Sequence, residues 1–345
     1  MYRREWLKRG WELAAGSVAS LVVLDALALA DTDAPHHSFR AARRTRVSSQ
    51  AMGTHINTTA VCVDPDQAST VIRAALDELE MVDRLMTIHR DDSDLGRTNR
   101  SQGGSLDIRT LEVARKACEL AALTDGALDP TILPLMRYWG FVSGQDRLPT
   151  REDVEAVVDQ VGYRRFRVAG DKVLLEAGTE IDFGGIAKGY GVDRAVDCAR
   201  GEGVRNVMVE AGGDLFAAGR PSPGRRWTIG IRDPEHPDRI FATIEVEDEA
   251  VATSGGYEKF RIVGGARVPH LLNPKTGLAA RGTISATIIA RSTIEADALA
   301  TAAFVMGSTA SMELISELPG VEGLWVDSNG RRWMTPGLRN RVQFV

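Results

Sequence analysis

Segments with the residue spacing of strands alternate with segments of helical spacing from Thr45 onward, and this alternation limits the fold more than any other feature. The first pair is a strand predicted at Met52–Val63 and a helix predicted at Pro65–Met86, whose apolar residues recur every three or four positions. No internal repeat, low-complexity tract or linker interrupts the pattern. The sequence therefore predicts one intertwined α+β domain over residues 45–345, with mixed sheets flanked by helices.

The two halves of this domain differ in their predicted elements. Further helices are predicted at Leu111–Thr124, Arg151–Val161, Lys188–Arg200, Ala296–Met306 and Thr309–Leu318. The second half is richer in strands, predicted at Asn206–Glu210, Arg226–Ile231, Phe241–Val246, Lys259–Val263 and Ile284–Ala290, while a hairpin is predicted within Arg167–Asp182.

Charge and cysteine content exclude some classes of function. The chain has 345 residues and a net charge of -5, and its isoelectric point is about 5.8, whereas nucleic-acid-binding domains usually present a basic surface. Its three cysteines are too widely spaced for a zinc or thiol-redox motif. We therefore expect no nucleic-acid partner and no zinc centre.

Residues 1–30 have the pattern of an export signal. A basic segment containing Arg3-Arg4 resembles the twin-arginine type, and the apolar stretch that follows ends in Ala28-Leu29-Ala30, a small-residue cleavage pattern. Asp25 interrupts that stretch, which is too short for a stable membrane span. The pattern predicts an exported, periplasmic protein with a flexible leader at 31–44; the alternative is an N-terminal amphipathic helix that is retained.

Glycine-rich turns after predicted strands are the first candidate ligand sites. In Asp182–Tyr190, the backbone N–H groups at a helix start and the charge of Lys188 would favour phosphate, although no dinucleotide or P-loop fingerprint is present. The alternative is a tight strand–helix connection. Similar turns occur at Gly212-Gly213-Asp214 and Thr253-Ser254-Gly255.

Asp297 and Thr301 form a second candidate site, for a metal ion. Ser292 and Glu295 have the spacing of a capping box, which predicts a helix starting just before Ala296. Asp297 and Thr301 would then share one face of a mostly apolar helix, and two hard oxygen ligands suit Mg²⁺. The alternative is an exposed Asp297 in the first turn, with Thr301 bonded to a backbone carbonyl.

His270 begins a turn-forming segment, His270–Gly277, after a predicted strand. A histidine that lines a pocket is the natural general base because it titrates near neutral pH. The alternative is a structural role beside the turn.

Taken in order, these segments resemble the FAD:protein FMN transferase family, also called ApbE-type. The resemblance covers about residues 51 to 307, most of the predicted domain. The matching segments are Ala51–Thr54, Asp92-Ser93 with Asn99, Gly126–Thr131, Trp139–Phe141, Ile181–Asp193, Gly212–Asp214, Thr253–Gly255, His270–Gly277 and Ala296–Thr301. The family's fold implies a T-fold-like arrangement of sheets and helices.

The resemblance also implies roles for individual residues. Mg²⁺ would be held by Asp297, Thr301 and the backbone carbonyl of Gly185. The residues implied to contact FAD are Met52, Ala127, Leu128, Asp129, Asp182, Lys188 and Leu271, with His89 where the family commonly has a flavin-stacking Tyr. Asn273 stands where the family favours Asp.

The implied reaction transfers FMN from FAD to a Ser or Thr hydroxyl of an acceptor flavoprotein, with release of AMP. Either His270 or Asp297 would accept the hydroxyl proton, and His270 is favoured because a metal-bound Asp is a poor base. Two alternatives stay open: a Mg²⁺-dependent FAD pyrophosphatase that uses water, and a non-catalytic FAD-binding protein.

Overall fold

The structure, a computed structural model, describes residues 21–23, 42–142, 149–263 and 266–345. This part of the chain forms eight α-helices: α1 (Pro65–Met86), α2 (Asp94–Ser101), α3 (Ile108–Leu123), α4 (Leu133–Tyr138), α5 (Arg151–Val158), α6 (Ala187–Gly201), α7 (Thr293–Met306) and α8 (Ser308–Glu317). Its strands are β1 (Leu21–Val23), β2 (Arg43–Ala51), β3 (Thr54–Cys62), β4 (Gly103–Ser105), β5 (Phe166–Ala169), β6 (Lys172–Leu175), β7 (Asn206–Ala211), β8 (Asp214–Ala218), β9 (Trp227–Arg232), β10 (Ile240–Val246), β11 (Glu249–Gly255), β12 (Phe260–Val263), β13 (Ala266–Pro269), β14 (Thr283–Ala290), β15 (Glu322–Asp327), β16 (Arg332–Met334) and β17 (Val342–Phe344). The predicted α+β class is confirmed.

Most of the predicted export signal and of the flexible leader that follows it lies outside the described residues. Of the predicted signal at 1–30, only Leu21–Val23 is described, as strand β1, which pairs antiparallel with β9. Among the described residues, no helix combines the length and apolarity needed to cross a membrane.

An eight-stranded antiparallel sheet organises the molecule, in the order β16-β15-β14-β11-β8-β7-β3-β2. Its side chains alternate between two faces: Val207 and Val209 belong to the core that includes the buried residues of α1, α6 and α7, whereas Met208 belongs to a second core. That second core lies against a four-stranded sheet, β1-β9-β10-β17. The large sheet is thus the middle layer, with helices on one face and the small sheet on the other.

The strand register brings the glycine-rich turns to one end of the large sheet. Ile56 pairs with Ala211, Ala252 with Asp214 and Gly255 with Ser285. Because every neighbouring pair is antiparallel, the start of β3, the β7–β8 turn, the end of β11 and the start of β14 all lie at this end. The α6 and α7 helices begin near it, as the contacts below show.

Candidate active site

Two buried carboxylates share one ammonium group at this end of the sheet. Lys188, from the first turn of α6, forms ion pairs with Asp214 at the start of β8 and with Asp297 on α7. The Lys188 Nζ lies 3.2 Å from Asp297 Oδ1, and the other Asp297 oxygen accepts a 3.0 Å hydrogen bond from the Gly189 N–H. Both carboxylates are nearly inaccessible to solvent, so the cluster brings together α6, α7 and the sheet.

The acids of this cluster resist ionisation. Burial and the neighbouring Asp297 raise the pKa of Asp214 to about 8. Burial and Asp214 also raise the pKa of Glu258 well above its usual value. Although burial alone would lower the pKa of Lys188, the two carboxylates raise it above its ordinary value. The raised pKa values of Asp214 and Glu258 arise because ionised carboxylates would repel one another in a buried setting, and an additional cation would favour their ionised forms.

The predicted metal-binding residues lie close together. A Cβ built on Gly185 would be 3.3 Å from Thr301 Oγ1, so the Gly185 backbone approaches the hydroxyl one turn beyond Asp297. The Ser254 hydroxyl, at the end of β11, lies 3.4 Å from the same Thr301 oxygen. Among the described residues, no three His, Cys, Asp or Glu side chains form a group that could hold a metal ion. The predicted metal site is of another kind, because only one of its three ligands is such a side chain. Its ligands are one carboxylate, one hydroxyl and one backbone carbonyl.

The predicted capping box at the start of α7 is wrong. Ser292 occupies the N-cap position, but its hydroxyl makes no capping hydrogen bond, and Glu295 instead lies 3.3 Å from Lys116 on α3. The N–H groups of Thr293 and Ile294 donate to the Asp193 carboxylate of α6, at 2.7 and 2.9 Å. A side chain from another helix satisfies the amides that the local motif was expected to cap. Asp297 itself is buried, which excludes the exposed alternative.

His270 follows the β12–β13 hairpin and has a fixed orientation. Its Nδ1 lies 3.0 Å from the Lys259 carbonyl oxygen, which also accepts from the His270 N–H. Because a carbonyl can only accept, Nδ1 carries the proton and Nε2 keeps its lone pair. Removal from bulk water, with the charges of Lys259 and Lys188, lowers the pKa of His270 to about 4. The imidazole is therefore neutral at pH 7.

Asn273 closes the turn that follows His270. Its side-chain oxygen accepts from the N–H groups of Lys275 and Thr276, at 2.9 and 3.2 Å. This turn requires an acceptor oxygen but no charge, so Asn serves here as Asp would.

The residues expected to contact FAD lie in three places. Leu128 lies against Gly185, and the Asp182 N–H donates to the Pro130 carbonyl at 2.8 Å, which joins the Ala127–Asp129 segment to the glycine loop. Within that segment, the Asp129 carboxylate accepts from the N–H and hydroxyl of Thr131.

Met52 occupies the turn before β3, where its N–H donates to Asp83 Oδ2 at 3.0 Å and its sulfur faces Gly191. His89 is exposed. Burial raises the pKa of Asp182, and the hydrogen bond from the Gly184 N–H opposes that rise, as do the charges of Lys259 and His89. Leu271 is buried next to His270.

Sequence reasoning gave no individual role to several polar residues of this site. Asp214 carried a signal, because it directly follows the pair Gly212-Gly213 after a buried strand. Glu258 and Lys259 carried none, since nothing in their local pattern distinguishes them from a solvated hairpin. Burial and the charge of Lys188 lower the pKa of Lys259.

A family model and individual related proteins identify the same family for this chain. The sequence model of the ApbE family matches residues 52–325. A FAD:protein FMN transferase from Vibrio cholerae is 33% identical over 280 residues, covering 79% of this chain and 84% of that protein. The transferase of the same description from Treponema pallidum is 30% identical over 299 residues, covering 79% and 83%.

Solved structures agree with the sequence comparison. The ApbE protein of Thermotoga maritima has a TM-score of 0.81 at 32% identity, covering 87% of this chain and 99% of that one. The flavin transferase ApbE of Vibrio cholerae has a TM-score of 0.78 at 30% identity, with the same coverage. Since the family match includes every segment that builds the Lys188 cluster, this protein belongs to the ApbE family.

Proposed function

We propose that this protein is a FAD:protein FMN transferase that cuts the pyrophosphate of FAD and places FMN on a Ser or Thr hydroxyl of an acceptor flavoprotein. The observation that supports this best is the cluster of Lys188, Asp214 and Asp297, in a chain 33% identical to the Vibrio cholerae transferase. A pyrophosphate needs positive charge around it, and the cluster combines an ammonium with carboxylates that can bind a cation.

The residues present fit Mg²⁺. Asp297, Thr301 and the Gly185 carbonyl would hold it, because they offer hard oxygen atoms and leave positions for water and phosphate. The raised pKa values of Asp214 and Glu258 support this assignment, because a bound cation would favour the ionised form of both carboxyls. When bound, Mg²⁺ would supply charge that neutralises the pyrophosphate oxygens.

The chain's own residues would direct the transfer. The acceptor hydroxyl oxygen forms a bond to the FMN-side phosphorus, the bond from that phosphorus to the bridging oxygen breaks, and AMP leaves with that oxygen. His270 would accept the hydroxyl proton at Nε2, since its Nδ1–H is held by the Lys259 carbonyl. The adjoining segment Leu271–Gly277 is closed by the Asn273 turn.

Mass spectrometry of an acceptor tests the proposal. The chain is incubated with FAD, MgCl₂ and the flavoprotein acceptor of the Vibrio cholerae relative, and we expect a mass gain of one FMN less one water. An acceptor whose target Ser or Thr is replaced by Ala is the control. AMP release at the same rate without any acceptor would instead indicate a pyrophosphatase, and FAD recovered intact would indicate a binding protein.

We also propose that residues 1–30 direct export of the protein to the periplasm. The sequence Arg3-Arg4 followed by an apolar stretch supports a twin-arginine signal. Replacing Arg3 and Arg4 with Lys should leave the precursor in the cytoplasm, as detected by cell fractionation. Unchanged export would indicate the general secretory route, and a cytoplasmic, unprocessed wild type would contradict the proposal.

A further inference from the structure

The start of α7 is held by a helix remote in sequence. Asp193, seven residues into α6, accepts from the N–H groups of Thr293 and Ile294, the first two residues of α7. The adjacent Ser292, at the position where a capping side chain is normally found, does not contribute its hydroxyl. The orphan amides of one helix are thus satisfied by the carboxylate of another.

The start of α6 is held in the same way by α7. Ile186 occupies the N-cap position of α6 and has no side-chain oxygen to offer. The N–H of Gly189, the third residue of α6, donates to Asp297 Oδ2 at 3.0 Å. Each helix therefore provides one carboxylate that caps the first turn of the other, and one of these carboxylates is the predicted metal ligand.

The two helices also approach closely at this point. A Cβ on Gly189 would lie 2.6 Å from the Thr293 carbonyl carbon and 2.8 Å from Ile294 Cα. Such distances leave no room for a side chain, so the backbones meet in one relative position. Lys188 is next to Gly189, and its Nζ is 3.2 Å from Asp297 Oδ1.

We propose that Asp193 is a positioning residue of the active site, because with Asp297 it forms a reciprocal pair of caps that fixes α6 against α7. This reciprocal cap would fix the distance from Lys188 to Asp297 and from Gly185 to Thr301. Without the Asp193 carboxylate, the first turn of α7, one turn before Asp297, loses the acceptor of its N–H groups. The metal-binding role of Asp297 and Thr301 in this argument rests on the proposed function.

Two variants of Asp193 and one matched control test the reciprocal cap. Asp193→Ala removes both acceptors, while Asp193→Asn keeps the size of the side chain and one acceptor oxygen. Ser292→Ala is the control, since Ser292 holds the usual capping position but makes no capping bond. Hydrogen exchange of the amides at the start of α7 is measured on the full chain. Binding of Mn²⁺ in the presence of ADP, a pyrophosphate without flavin, is measured on the same samples.

We expect faster exchange at Thr293 and Ile294 in Asp193→Ala, and an affinity for Mn²⁺ lowered about tenfold, as for other residues that orient metal ligands. Asp193→Asn should show a smaller loss of both, and Ser292→Ala should match wild type. If Asp193→Ala does not fold, Asp193→Asn carries the comparison.

Three results would overturn the inference: unchanged exchange in the Asp193 variants, faster exchange with an unchanged affinity for Mn²⁺, or the same losses in Ser292→Ala. A wild type that binds no Mn²⁺ with ADP would contradict the proposed function instead. The exchange measurement would still show whether the reciprocal cap holds the helices.

Discussion

At the scale of single residues, the pKa of Asp214 makes the charge of the site depend on pH near neutrality. Its pKa of about 8 exceeds the unperturbed value of 3.8, because the group is buried and lies near Asp297. A carboxyl whose pKa is raised on folding contributes stability that is complete below pH 3.8 and is lost as pH rises through 8. A bound cation opposes this loss of stability, since it favours the ionised form of the carboxyl.

We therefore expect Mg²⁺ binding to release a proton from Asp214 at pH 7. Calorimetric titrations in two buffers of different ionisation enthalpy count the protons released. Asp214→Asn should remove most of that release, while Asp238→Asn, an exposed acid between β9 and β10, should not. Mg²⁺ should also raise the melting temperature of the wild type more at pH 8 than at pH 6. Equal proton release from wild type and Asp214→Asn would contradict this assignment.

His270 should act as a base without an ordinary histidine pH profile. Because its pKa is about 4, the imidazole is already neutral above about pH 5, so the rate should show no acid limb near 6.5. His270→Gln should slow FMN transfer about 10²–10⁴-fold, the usual contribution of a general base, with unchanged FAD affinity. His236→Gln, on the exposed turn between β9 and β10, is the control. Single-turnover rates measured from pH 5 to 8 test this prediction, and an acid limb centred near 6.5 would contradict the lowered pKa of His270.

At the scale of elements, local pattern predicted the longer helices, whereas the short helices α2 and α4 were not predicted. The bounds of α1 are those expected, because a regular apolar stripe follows an N-cap at Asp64 and a Pro at the first helical position. Helix α5 begins at Arg151 as predicted, after a capping box formed by Thr150 and Asp153, although it ends at Val158 rather than Val161. These features depend on residues within a few positions of one another.

Features that depend on distant partners could not be predicted. Strand β11 ends in Ala252-Thr253-Ser254-Gly255, residues of low or moderate strand preference that were interpreted as turns. It is a strand because β8 and β14 flank it and satisfy its backbone. Likewise, Asp193 displaces Ser292 as the cap of α7 only because α6 crosses there. Sequence located the Asp297–Thr301 helix but not the partners that complete its surroundings.

Two glycines of α6 give a direct test of the helix crossing. Gly189→Ala places a methyl group against the backbone of Thr293 and Ile294, so we expect a loss of about 1–3 kcal/mol from overpacking. Gly201→Ala, at the exposed end of the same helix with no atom within 4 Å, should be neutral or stabilising by up to about 1 kcal/mol. Urea unfolding measures both values. Similar effects of the two substitutions would show that α6 and α7 are not in close contact at Gly189.

At the scale of the whole molecule, the large sheet separates the chemistry from a supporting layer. The Lys188 cluster involves α6, α7 and one end of the sheet, and α7 packs on β11 and β14. The four-stranded sheet contributes Trp227, Ile229 and Ile244 to the opposite core, together with the other face of the large sheet. None of the predicted site residues belongs to that second core. The small sheet should therefore affect stability without affecting the site.

Two buried isoleucines on opposite sides of the large sheet test this separation. Ile244 lies in β10 within the second core, and Ile288 lies in β14 within the core shared with α7; both are almost completely buried. Each Ile→Ala change should cost about 2–5 kcal/mol of unfolding free energy, because each leaves a cavity. Only Ile288→Ala should also weaken Mn²⁺ binding in the presence of ADP, since its cavity lies in the core that supports α7. Urea unfolding and Mn²⁺ titration under native conditions measure the two effects, and an equal loss of affinity in Ile244→Ala would mean that the two layers are coupled through the sheet.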